Sequence, residues 1–233
     1  DNKLGPPVLG DLPAPRRLTP AEIEHIATGG KGLIIDTRLS RPAFAARHLP
    51  GSLHCALNRS FNTAVGSLVE DETLPIHLVV HEEDLDEAVR DLIRIGYDNI
   101  RGFIEPTTLE RYFAEGGEHS TIEDIDFSTM NTRVKEDSDA AVLDVRHASE
   151  FAAGHVPGAI NASYTRLPET HTELPEDRTL LVHCSTGNRA ASAASFLARE
   201  GYAVVLVDDL CERYEKTSDS GAVQTPQPAR AGA

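Results

Sequence analysis

The chain has 233 residues, 40% of them hydrophobic, which fits one or two ordinary globular domains. A formal charge of −15 argues against nucleic acid as a partner, because phosphates would be repelled. No apolar run reaches the length of a membrane span and no signal peptide is expected, so a membrane partner is excluded too. Cys55, Cys184 and Cys211 are too few and too odd in number for a disulfide framework; a reducing, cytoplasmic setting is expected.

Residues 1–16, rich in Pro and Gly, are expected to form a linker leading in from an upstream segment of a longer protein. From residue 17 the chain repeats itself. "GLIIDTRLSRPAFAARHLPGSLHCAL" (Gly32–Leu57) aligns with "AVLDVRHASEFAAGHVPGAINASY" (Ala141–Tyr164). Farther on, "HLVVHEEDLDEAVRDLIRIGYDNI" (His77–Ile100) aligns with "TLLVHCSTGNRAASAASFLAREGYAVV" (Thr179–Val205). The repeat spans about 100 residues, the size of a domain rather than a solenoid unit. Boundaries are expected at 17–118 for the first copy and 119–217 for the second. The polar, Pro-containing tail at 218–233 is expected to be disordered.

In the second copy, Ala141–Val145, Thr179–Val182 and Val204–Val207 are predicted strands. Ala190–Glu200 is a predicted helix with small residues on its packing side. Strand–helix–strand alternation predicts an α/β class: two similar domains, each a parallel sheet flanked by helices. Ligands in such sheets bind at the carboxyl ends of the strands, where Cys184 falls.

The loop at that point, "CSTGNR" (Cys184–Arg189), carries the chemistry. Gly187 permits a tight concave backbone, and the following helix contributes unpaired N–H groups and its positive dipole end. An anionic sulfur is favoured there, more so with Arg189 nearby. Cys184 and Arg189 are the expected catalytic pair. Ser185, Thr186, Gly187 and Asn188 form the expected substrate-binding loop, acting through backbone N–H groups more than side chains. Asp144, Arg146 and His155 are expected supports, with Asp144 and Arg146 pairing to hold neighbouring loops, and His183 is expected to be structural. Cys55 aligns with Ala162 and is expected to be a packing cysteine. Cys211 is a weaker candidate for a second, sulfur-accepting thiol. The ten histidines show no metal-ligand spacing, so no metal is expected.

Two chemistries use such a cradle: phosphate-ester hydrolysis through a cysteinyl phosphate, and sulfur transfer through a persulfide. The loop is close to the tyrosine-phosphatase signature but one residue short, with four residues between Cys184 and Arg189. A tighter ring suits a terminal sulfur better than a tetrahedral phosphate. With Asp144-x-Arg146, "GHVPGAI" (Gly154–Ile160) and C-x-x-G-x-R at Cys184–Arg189, the chain resembles a tandem rhodanese over roughly residues 17–215. More narrowly, it is similar to the rhodanese half of metallo-β-lactamase-fold/rhodanese fusions of the persulfide dioxygenase type, although no H-x-H-x-D-H motif is present.

The resemblance implies sulfur transfer through a persulfide on Cys184, with no cofactor. Thiosulfate or a low-molecular-weight persulfide would be the donor, and a thiol or cyanide the acceptor. A fused or separate dioxygenase is the implied macromolecular partner. Two alternatives stand beside it: a non-catalytic rhodanese-like binding or sulfur-delivery module, and, more weakly, a phosphatase or arsenate reductase.

The first copy departs from this pattern. It has "HEEDLDEA" where the second has "HCSTGNRAAS", and it is three residues shorter between the histidine and the Gly-Tyr pair. Glu82, Glu83 and Asp84 put negative charge where a cradle needs positive. That copy is expected to be catalytically silent, serving as a scaffold that walls the cleft or as a recognition surface.

Overall fold

A computed structural model describes residues 12–29, 31–211 and 214. The disordered tail expected at 218–233 and most of the linker expected at 1–16 lie outside them. The first half runs β1 (Arg16–Arg17), α1 (Pro20–Ala27), β2 (Leu33–Asp36), α2 (Arg41–Ala46), β3 (Leu53–His54), α3 (Phe61–Leu68), β4 (Ile76–Val79), α4 (Leu85–Arg94), β5 (Ile100–Ile104) and α5 (Pro106–Ala114). The second half runs β6 (Glu123–Ile125), α6 (Phe127–Glu136), β7 (Ala140–Asp144), α7 (Ala148–Ala153), β8 (Ile160–Asn161), α8 (Leu167–Thr170), β9 (Thr179–His183), α9 (Asn188–Arg199) and β10 (Val204–Val207).

Each half builds a five-stranded parallel sheet. The orders are β1-β5-β4-β2-β3 and β6-β10-β9-β7-β8, the same order twice. The class is α/β, with helices covering both sheets. β1 begins at Arg16, inside the stretch read as linker, because Arg16 pairs with Gly102. Among the described residues no helix is long and apolar enough to cross a membrane.

The predicted strands fall within a residue of their positions because they are short apolar runs buried on both faces. Val142, Leu143, Leu180, Leu181 and Val182 are all buried. The aligned copies also agree in hydrogen bonding. The Cys55 N–H donates to the Asp36 carbonyl at 3.0 Å, as the Ala162 N–H does to that of Asp144 at 3.2 Å. Cys55 is thus a packing residue, and burial pushes its thiol up to about 12. Where Asn161 donates to the Asp144 and Arg146 carbonyls, His54 Nε2 meets the Arg38 carbonyl at 3.0 Å. A different side chain braces the same loop.

One cluster of buried apolar residues runs through both halves, from Phe61, Val65 and Leu68 to Leu167, Phe196 and Leu197. Its centre is α9, where every residue from Ala190 to Leu197 is buried. A helix with no solvent face must be covered on all sides. Its own sheet covers one side, and β3 and α3 of the first half cover the other. Alanine and serine at six of those eight positions allow this close approach. Hydrogen bonds reinforce the seam: the His54 N–H donates to Ser195 Oγ at 2.9 Å, and Arg199 Nη1 donates to the Gly51 carbonyl at 3.0 Å.

Burial drives down the pKa of His48, His54 and His183, so these rings are neutral in the fold. An unfolded chain takes up protons on them near pH 6.5. Their contribution is therefore fully present above that pH and is lost as pH falls below it. The slope approaches about 1.4 kcal/mol per pH unit for each ring. Urea midpoints at about pH 7.5 and about pH 5 should differ accordingly, the acid value being lower; equal midpoints would contradict neutral buried rings.

Candidate functional site

β9 delivers Cys184 to the carboxyl edge of the second sheet, where the thiol is 1% exposed. The chain then turns through Ser185–Gly187 into α9. Gly187, at φ +88°, is the residue that starts the helix. The first helical bond runs from the Ala191 N–H to the Gly187 carbonyl. No protein acceptor among the described residues takes the N–H groups of Ser185, Thr186, Gly187 or Asn188. Unpaired donors converging at a helix start make a place for an anion.

Arg189 leaves that helix start and is held fast. Its Nη1 donates to Glu150 Oε2 at 2.6 Å and its Nη2 to Glu150 Oε1 at 2.8 Å. Nη2 also reaches Ser185 Oγ at 2.6 Å. The hydrogen bond from Arg189 holds the Glu150 carboxyl down to about 2. Conversely, Glu150 raises the arginine's already high pKa, and the adjacent Cys184 adds to that effect. Arg189 is thus paired with a carboxylate from α7 and held beside the thiol.

Asp144 and Arg146 pair as expected. Arg146 Nη2 meets Asp144 Oδ2 at 2.6 Å and the Gly154 carbonyl at 2.8 Å, tying the end of β7 to the loop after α7. Asp36 and Arg38 repeat the pair in the first half. His155 Nδ1 lies 2.9 Å from the Phe151 carbonyl and its ring stacks on Phe151, a structural role. His183 is buried 3.8 Å from Asp144 against the edge of Phe127. Among the described residues no group of three or more His, Cys, Asp or Glu side chains could hold a metal.

The side chains of Ser185 and Asn188 have partners of their own besides the loop's backbone N–H groups. Both side chains are used, Ser185 Oγ by Arg189 and Asn188 Oδ1 by Arg41 of the first half, at 2.5 Å. Arg41 Nε also donates to Asp208 Oδ1 at 2.8 Å, just past β10. Glu150, Arg41 and Asp208 escaped the sequence reading. Glu150 has a partial signal, since it stands opposite Ala43 in the copy that lacks the loop arginine. Arg41 and Asp208 have none, because 167 positions separate them.

Cys211 comes close to the loop: its N–H donates to the Ser185 carbonyl at 3.0 Å. It lines a cavity of about 200 Å³ with Arg146, Glu150 and His155. The seam facing Arg189 is tighter. Ala56, Asn58 and Ser60 of the first half and Tyr164, Asn188 and Arg189 of the second line a small cavity of about 30 Å³. In the first half, Glu82–Asp84 form a 3-10 turn that runs into α4. Acidic side chains suit that helix start, so losing the cradle does not cost the fold.

Gly187 is constrained twice. Its φ disfavours any side chain, and an added Cβ would run into Asp208 Oδ1 and lie 2.9 Å from Arg41 Nε. Gly187→Ala should destabilise the protein by about 1–3 kcal/mol, read as a lower thermal midpoint. An unchanged midpoint would mean that the loop is slack.

Residues 129–214 match the family model of the rhodanese-like domain. A protein of Allochromatium vinosum named sulfurtransferase is 29% identical over 85 residues, covering 36% of this chain and 79% of that protein. The thiosulfate sulfurtransferase GlpE of Ectopseudomonas mendocina is 36% identical over 66 residues, covering 28% of this chain and 61% of that protein. Among solved structures, a rhodanese-related protein from Thermoplasma volcanium aligns with 28% identity and a TM-score of 0.38, over 41% of this chain and 93% of that one. A thiosulfate sulfurtransferase from Pseudomonas aeruginosa aligns with 17% identity and a TM-score of 0.38, over 90% of this chain and 44% of that one. The stretch that matches this family model holds Cys184, its loop and α9.

Proposed function

We propose that the protein is a sulfurtransferase that carries sulfane sulfur as a persulfide on Cys184. The observation that supports this reading is a buried thiol at the start of a loop whose N–H groups have no protein acceptor among the described residues, beside a guanidinium fixed by Glu150. In the loading step the Cys184 thiolate attacks the outer sulfur of thiosulfate. The S–S bond of the donor breaks, and sulfite leaves with the electron pair. In the unloading step a thiolate attacks the terminal persulfide sulfur, giving the acceptor persulfide and regenerating Cys184; cyanide in the same role gives thiocyanate. A low-molecular-weight persulfide would load the enzyme in the same way, with a thiolate leaving.

The chain's own residues would do three things. Loop N–H groups stabilise the terminal sulfur anion. Arg189, held by Glu150, keeps a cation at a constant place beside the thiol. Burial of Cys184 keeps water and bulky reactants off the sulfur. A phosphatase reading is disfavoured by the short loop, with four residues between Cys184 and Arg189. Intact mass after incubation with thiosulfate tests the proposal. A gain of one sulfur atom, removed by a thiol, is expected; no gain would leave a binding module without chemistry of its own.

A further inference from the structure

The two halves have diverged in a coordinated way. In the second half Glu150 holds Arg189; its aligned position in the first half is Ala43, and the loop arginine there is gone. The first half instead carries Arg41, opposite Ala148 of the second. Among the described residues the Arg41 side chain makes no hydrogen bond or ion pair within the first half. It crosses the seam to the other half's loop, with Nε on Asp208 Oδ1 and Nη1 on Asn188 Oδ1.

Asp208 follows β10 and Asn188 opens α9, so this one guanidinium joins the two elements that flank the loop. Asp208 is pressed against Gly187, with its side chain only 7% exposed. Arg189 holds the loop through Ser185 and Glu150. Two arginines thus hold the loop, one of them from the half that lacks the thiol.

We propose that Arg41 is a positioning residue for the Cys184 loop: it fixes the aim of the Gly187 and Asn188 N–H groups, and so makes the first half part of the second half's site. A planar guanidinium can meet two acceptors in set directions at once, whereas an ammonium is a single mobile charge. Donors aimed at one point lose their effect when the elements carrying them drift. The inference rests on the sulfurtransferase reading for its kinetic consequence but not for its structural one.

The test compares the full-length wild type with Arg41→Ala and Arg41→Lys in two measurements. The first is hydrogen–deuterium exchange at the amides of Ala191 and Cys211, which donate to the loop carbonyls of Gly187 and Ser185, against those of β9. The second is the rate of sulfur loading from thiosulfate, resolved into kcat and KM. Arg41→Ala should speed exchange in the loop about tenfold or more while leaving β9 protected. It should lower kcat for loading by up to about a hundredfold, with little change in KM, the loss that an ångström of misplacement can cause. Arg41→Lys should fall between the two and guards against a failure of Arg41→Ala to fold. Unchanged loop exchange in both variants would overturn the proposal. A general loss of protection, β9 included, in both variants would overturn it too, in favour of a merely structural seam contact. If the wild type takes no sulfur, the sulfurtransferase reading fails alone, and loop exchange still decides the role of Arg41.

Discussion

Cys184→Ser is expected to abolish sulfur loading, lowering it at least about a thousandfold, the scale on which enzymes lose activity with their nucleophile. Serine keeps the size and burial of the side chain, but its oxygen cannot form the sulfur–sulfur bond on which the proposed cycle depends. The two other cysteines make the comparison specific. Cys55 is fully buried with its thiol pushed up to about 12, so Cys55→Ala should load normally. Cys211 reaches the loop through its backbone N–H, which any side chain but proline preserves, so Cys211→Ala should also load. Intact mass after thiosulfate, before and after thiol treatment, reads all three. Loading by the Cys184→Ser protein would sink the assignment. Failure of Cys211→Ala to pass sulfur onward after normal loading would make Cys211 the acceptor thiol.

Residues 119–233 expressed alone should fail to fold cooperatively. The reason lies in α9, buried from Ala190 to Leu197 because β3 and α3 of the first half cover the side that its own sheet does not. Removing that half would also uncover Tyr164 and Leu167, which pack near α3, and Phe196, which shares a buried cluster with Leu33 and Leu53. Each such side chain contributes about 1.5–3 kcal/mol when fully buried. Three of them approach the whole stability of an ordinary domain, about 5–15 kcal/mol. A thermal melt compared with that of the full chain gives the answer. A sharp transition near that of the full chain would show the second half to be self-sufficient and would confine the first to another task.

The sequence by itself determined the repeat, the α/β class, the strands and the loop. These are local matters: an apolar run buried on both faces, a glycine at a turn and a cysteine at a strand end all follow from neighbours in the chain. Asp144 and Arg146 were legible for the same reason, being two residues apart on a strand end. The alanine-rich helix was legible as a helix, but its burial on every side was not, since small residues suit one close neighbour as well as two. The partners that fix the loop were decided only by the tertiary structure. Glu150 reaches Arg189 across 39 positions, and Arg41 reaches Asp208 across 167. Such ion pairs leave no periodicity or spacing in a sequence, because their geometry comes from how helices and sheets pack. The packing of the two halves along α9 places an arginine of the half without a thiol against the loop of the half that has one.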